Sequence, residues 1–166
     1  MPGNNEQTES AVTHFLKIVS GAVFALGLFA GFACEATADE QIRLILHRGD
    51  TEHVFTVEIA DTPETRASGL MFRKELADDA GMLFIYPGKQ KIAMWMQNTL
   101  ISLDMLFLDR DGRILHMAER TTPLSTEVIS SRFRVKAVLE VIAGTAERLG
   151  LRVGDRVEHV LLPAAQ

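Results

Sequence analysis

The sequence predicts a mainly β (α+β) fold: a single barrel-like or sandwich domain of seven to eight short strands with two short helices. Three observations lead there. Short runs rich in Val, Ile, Leu and Phe recur between Gly- and Asp-containing turns, apolar and polar side chains alternate along several of them, and only two segments carry helix-start and helix-stop residues. The chain is 47% hydrophobic and 23% charged, which suits a packed core. No Ser/Gly/Pro-rich linker, repeat or low-complexity tract breaks residues 41–162.

The apolar fraction is raised by one segment near the start. Residues 18–33 form an uncharged run that follows Lys17 and precedes Ala36-Thr37-Ala38. As a helix this run would rise about 24 Å, short of the ~30 Å hydrocarbon core. A basic residue, an apolar stretch and a small-x-small site form the layout of a secretory signal peptide. Residues 1–38 are therefore expected to be a signal peptide cleaved near Ala38, leaving 39–166 as one mainly β domain, periplasmic or secreted. The alternatives are an anchor retained at 18–33 and lipidation of Cys34. Gly31 stands where a bacterial lipidation signal has Leu, so Cys34 is expected to leave with the signal. The single cysteine excludes a disulfide framework and a Cys-based zinc site.

The elements follow in order. Residues 42–46 and 54–59 read as strands around a turn at Arg48-Gly49-Asp50, and the RGD tripeptide is read as that turn. Thr62 can cap a helix, Pro63 suits its first position and Glu64 suits its positive end, so a helix is expected over 63–72. A buried strand at 82–85 is expected to close at Tyr86-Pro87-Gly88. Strands are expected at 91–97, 100–108 and 113–118, the last two joined through Asp109-Arg110-Asp111-Gly112. Residues 133–142 alternate, with Phe133, Val135, Ala137, Leu139 and Val141 on one face and Arg132, Arg134, Lys136 and Glu140 on the other. A short helix at 145–149 stops at Gly150, and a last strand is expected at 156–162.

A formal charge of −5 argues against a protein that coats nucleic acid. There is no G-x-S-x-G elbow, phosphate loop or H-E-x-x-H. His47, His53, His116 and His159 are scattered singly over strands, and Asp109-x-Asp111-Gly112 places its glycine too early for a calcium loop. No metal and no cofactor is expected.

Three constellations carry chemistry. Arg66, Gly69 and Arg73 fall at i, i+3 and i+7 of the expected helix, two guanidiniums flanking bare backbone, a pattern suited to a carboxylate, phosphate or sugar acid. The bland alternative is that the arginines cover the sheet or pair internally. Trp95, the only tryptophan, shares its strand face with Lys91 and Gln97, a platform for a sugar or apolar ligand unless a neighbouring loop covers it. Asp104 interrupts an apolar strand and needs an arginine or backbone amide partner. The basic stripe Arg132/Arg134/Lys136 reads as a solvated strand face.

These residues also carry a resemblance. Arg66-x-x-Gly-Leu-Met-Phe-Arg73, Gly81-Met-Leu-Phe84, Trp95-Met-Gln-Asn-Thr-x-Ile-Ser-Leu-Asp104, Asp111-Gly-Arg-Ile114, and Val138-Leu-Glu140 with Gly144 and Gly154-Asp155 resemble the uncharacterised prokaryotic family called domain of unknown function 192, over residues 42–162. Gln97 and Ser102 stand where that family commonly has Lys and Pro. The resemblance implies a compact, barrel-like domain, often exported in bacteria, and implies no activity. It supports treating Arg66, Gly69, Arg73, Trp95, Asn98 and Asp104 as one neighbourhood.

The expectation is an exported domain binding a small or polymeric envelope ligand, anionic or sugar-like, between the 63–73 helix and the 95–104 segment. Its membrane contact would run only through the N-terminal segment, and nucleic acid is not an expected partner. The alternatives are an envelope glycan hydrolase using Asp104 and Glu140, or a structural, partner-binding accessory protein.

Overall fold

The structure, a computed structural model, describes residues 43–162. The expected signal peptide, its cleavage point and Cys34 lie outside the described residues. Strands β1 (Arg43–Arg48) and β2 (Thr51–Ala60) form a hairpin with Arg48 opposite Thr51, so the RGD tripeptide is its turn. Helix α1 (Pro63–Ser68) is capped by Thr62, whose hydroxyl accepts from Thr65 N while the Thr65 hydroxyl accepts from Thr62 N. Next come β3 (Ala80–Met94), β4 (Leu103–Leu108), β5 (Ile114–Ala118), β6 (Ile129–Ile142), α2 (Thr145–Leu149) and β7 (Arg156–Glu158).

The seven strands make one curled sheet in the order β5-β4-β6-β3-β2-β1-β7, with β2 and β3 parallel and the other neighbours antiparallel. The two edges meet where Arg113 bridges Arg156, so the curl returns on itself as barrel-like sheets do. Val157 N donates to Gly112 O at 2.8 Å there, and Ile114 N donates to Asp155 O at 2.9 Å. Gly112 is required at this seam: its φ is 77°, and a Cβ would sit 2.0 Å from Val157 O.

Two apolar layers lie on opposite faces of β3, β4 and β6. One, inside the curl, contains Leu83, Leu106, Leu139 and Val141 with Leu44, Phe55 and Val157. The other contains Met82, Phe84, Met105, Phe107 and Val138, covered by Leu70, Ile92 and Met96. Every residue of β4 is buried for this reason.

Three expectations are corrected. The first helix ends at Ser68 rather than residue 72, because Gly69 turns the chain out of the helix at φ 47° and ψ −137°. Its missing side chain admits the Phe84 ring, whose Cζ would lie 3.1 Å from a Cβ. Tyr86-Pro87-Gly88 does not end β3. It is a bulge, the register against β6 shifting between Ile85 and Gln90, and Lys136 Nζ donates to the freed Tyr86 and Pro87 carbonyls. Arg134 donates to Lys89 O, so two residues of the basic stripe clasp this bulge. Phe133 and Val135 do not share the inward face of Ala137, Leu139 and Val141: Val135 packs in the outer layer with Ile92 and Met96, and Phe133 is exposed. A second bulge, with Arg132 at φ 60°, turns it outward, while the Ser131 hydroxyl takes up Ile92 N and donates to Phe133 O.

Replacing Gly112 by alanine is expected to lower stability by about 3 kcal/mol in urea unfolding. The same change at Gly88, where an added Cβ meets nothing within 4 Å, is expected to be near neutral. Equal losses at both positions would contradict the seam.

Candidate functional site

Helix α1 and the Gly69–Met71 turn stand over β3 and β6, and between them and the 93–99 segment lies a cavity of about 90 Å³. Arg66 forms one side. Its Nη1 donates to Asp61 O at 2.5 Å and Ile85 O at 2.9 Å, and its guanidinium carbon lies 5.2 Å from the Tyr86 ring centroid. The stem is thereby fixed, while Nε and Nη2 have no partner among the described residues. Tyr86 donates its hydroxyl to Met94 Sδ at 3.6 Å. Burial pushes its pKa up to about 12; Arg66 opposes that rise and Glu140 adds to it. Trp95 stands at the mouth, 50% exposed.

The base of the cavity holds Glu140. On β6 it lies between Met82 of β3 and Met105 of β4, and only 4% of it is exposed. It has no hydrogen-bond or ion-pair partner among the described residues. Burial alone pushes its pKa from the ordinary 4.5 to about 8, so it is a neutral carboxylic acid at pH 7.

The loops beside the cavity hold unusual backbone. Phe72, Asn98 and Leu124 have φ of 63°, 59° and 61°, and backbone bonds pin them together: Phe72 N to Asn98 O at 2.8 Å, and Leu124 N to Thr99 O at 3.0 Å. Bulky residues in this region cost of order 1 kcal/mol each, and such positions gather at functional sites. Phe72 and Leu124 are mostly exposed and give the neighbourhood an apolar rim.

The structure brings together some of the sequence-derived residues and separates others. Arg66, Gly69 and Trp95 line the cavity. Arg73 does not, because the helix ends before it, and it pairs with Glu58. The two-arginine clamp is therefore absent. Asn98 is exposed and outside the cavity lining, its amide donating to Met71 Sδ at 3.8 Å. Asp104 is fully buried within the sheet, Oδ1 accepting from Arg120 N and Oδ2 from Ala146 N, both at 2.8 Å. The second bond serves the start of α2, whose N-cap Gly144 has no side chain to offer. Asp104 pairs with Val141 and Met105 with Glu140, so alternation along β4 and β6 sends the two carboxylates to opposite faces of the sheet. They cannot flank one glycosidic bond. Among the described residues, no group of three or more His, Cys, Asp or Glu is arranged to hold a metal.

The sequence places Glu140 on a polar strand face with Arg132, Arg134 and Lys136, but only the basic end of that face is open to solvent, and it is buried at Glu140. The available signal was the apolar run around it, Val138-Leu139 and Val141-Ile142, which marks a strand covered on both sides.

A family model described as "Uncharacterized ACR", for domain of unknown function 192, matches residues 44–159. The chain belongs to this family. Its fold recurs in a crystal structure of a proposed transcription regulator from Sinorhizobium meliloti 1021, which is 44% identical over 72% of this chain and 94% of that one, with a TM-score of 0.71. A protein of unknown function from Novosphingobium aromaticivorans DSM 12444 is 37% identical over 70% of this chain and 83% of that one, with a TM-score of 0.68. No curated protein matches the chain. Where this family member carries Gln97 and Ser102, Gln97 is exposed and outside the cavity lining, and Ser102 Oγ donates to Thr121 O.

Glu140 links folding to pH. The native state keeps a proton that the unfolded chain releases near 4.5, so this contribution to stability is full below pH 4.5 and is lost as pH rises through about 8. The unfolding free energy is expected to fall by ~4 kcal/mol between pH 5 and pH 9, and E140Q should remove most of that slope. D104N should lower stability at both pH values and leave the slope in place. Parallel pH profiles for the wild type and E140Q would contradict a buried neutral acid.

Proposed function

We propose that this family member is an exported ligand-binding domain that seats a small ligand, or one unit of an envelope polymer, in the cavity between α1 and the 93–99 segment. The observation that carries this reading is an unpartnered buried acid at the base of a cavity whose side is a guanidinium with unspent donors. Buried polar groups are ordinarily satisfied, and leaving one open costs roughly 1–3 kcal/mol unless something binds it. Trp95 and Met94 add an apolar wall beside the polar groups, the mixture typical of small-molecule sites. Arg66 favours an anionic or sugar-acid group, and Trp95 offers a face for a sugar ring. Without residues 1–38, which carry Lys17, Glu6, Glu9 and Glu35, the net charge of −5 becomes −3, which still opposes a polyanion as the ligand.

Titration of the full-length protein with sugar acids, neutral sugars and small organic anions, followed by Trp95 emission and calorimetry, should give saturable binding by at least one class. R66A should weaken that binding about tenfold. The absence of binding by every class would contradict the reading. Export makes its own demand: protein recovered from cell envelopes should begin near residue 39 by intact mass, and recovery of uncleaved protein in the cytoplasmic fraction alone would contradict it.

A further inference from the structure

Two polar side chains line the cavity from different elements, each with groups left unpaired among the described residues. Arg66 on α1 offers Nε and Nη2, held in place by the bonds of its own Nη1 to Asp61 O and Ile85 O. Glu140 on β6 offers a carboxyl that meets no donor, acceptor or cation among the described residues and is almost wholly shielded from solvent. The lining also holds apolar Leu70, Phe84 and Met94 and the hydroxyl residues Ser68 and Thr99, so Arg66 and Glu140 are its groups able to carry charge near neutral pH.

We propose that the cavity is a carboxylate-binding site in which the Glu140 carboxyl donates to one oxygen of the ligand's carboxylate and the Arg66 guanidinium donates to the other. This rests on the ligand-binding reading above and names the group recognised. Charge selects it. The cavity holds one permanent cation, which a monoanion balances, whereas a phosphate dianion brings a second charge with no counterpart. An amine would enter beside the guanidinium and be repelled. A metal ion would find a single carboxyl and no His, Cys or second acidic residue in the lining. The volume of about 90 Å³ suits a head group of a few heavy atoms, with the remainder of the ligand passing Trp95 toward solvent.

The site is proton-linked. The ionisable groups facing the cavity are Arg66 from α1, Tyr86 from β3 and Glu140 from β6; β4 contributes Met105 beside Glu140, and the 93–99 segment contributes Trp95 and Thr99. Arg66 stays charged throughout the working range. Tyr86, pushed to about 12, stays neutral below pH 10. Only Glu140 changes between pH 6 and pH 10, and once ionised it repels the ligand and has no proton to donate. Affinity should therefore be level on the acid side and fall about tenfold for each pH unit above 8.

The test is calorimetry and Trp95 emission on the full-length protein at pH 6, 8 and 10. The probes are propionate and glucuronate, with glucose, inorganic phosphate and propylamine as comparisons. The proposal expects both carboxylates to bind at pH 6 and to bind about 100-fold more weakly at pH 10. E140Q, whose carboxamide still donates, should bind them with no such loss. Carboxylate affinity that is equal at pH 6 and pH 10 in the wild type overturns the proposal, and so does propylamine binding that tightens at pH 10. Binding of glucose or phosphate without either carboxylate overturns the carboxylate assignment and leaves the ligand-binding reading standing. No binding by any probe overturns both.

Discussion

Strand β6 is hydrogen-bonded along both edges, to β3 and β4, and its residues from Ala137 to Val141 are buried on both faces. The placing of the other elements follows from that strand. One face of it is closed by the curl that brings β5 back to β7 through Gly112, and the other is closed by the α1 turn and the 92–96 segment. A strand in that position has no solvated side, so any ionisable group on it must be paired or neutral. Glu140 is the group on which this constraint falls.

The two buried carboxylates show what the constraint selects. Asp104 has its oxygens matched to two backbone amides, and one of those bonds supplies the cap that Gly144 cannot give to α2. It ties β4 to the segments on either side of β6 and leaves nothing over for chemistry. Glu140, one strand away and on the opposite face, lies in an equally apolar setting with no amide aimed at it. A fully satisfied polar group locks a fold, whereas the unsatisfied one at the base of the cavity is the feature on which the proposed binding site rests. The neighbouring left-handed Phe72, Asn98 and Leu124 agree with that reading, since strain of this kind persists only where the surrounding structure enforces it.

Local chemistry was legible in the chain, and non-local pairing was not. The β1–β2 turn, the Thr62 cap, the Asp109–Gly112 turn and the α2 stop at Gly150 each depend on residues a few positions apart, and the structure has them where the sequence placed them. Spacing alone extends the first helix to residue 72, because Gly69 fits its face; the turn at Gly69 is tied to the Phe84 ring, a contact that sequence spacing does not contain. Pro87 looked like a strand end because the carbonyls it leaves unpaired are taken up by Lys136, 49 residues away. Phe133 followed a period of two until a bulge at Arg132 broke it. Half of the cavity was visible as Arg66, Gly69 and Trp95. The other half, Glu140 and Tyr86, depends on which strands flank β6, and alternation along β6 alone does not carry that information.

The proposed carboxylate site requires Glu140 to be a neutral acid at physiological pH at the base of the cavity. Infrared difference spectroscopy of the wild type against E140Q reads its protonation directly, through the carbonyl stretch of a protonated carboxyl group. This band is expected at pH 7, should disappear as pH rises past about 8, and should be absent at every pH in the variant. A difference spectrum at pH 7 showing only an ionised carboxylate would contradict a neutral Glu140.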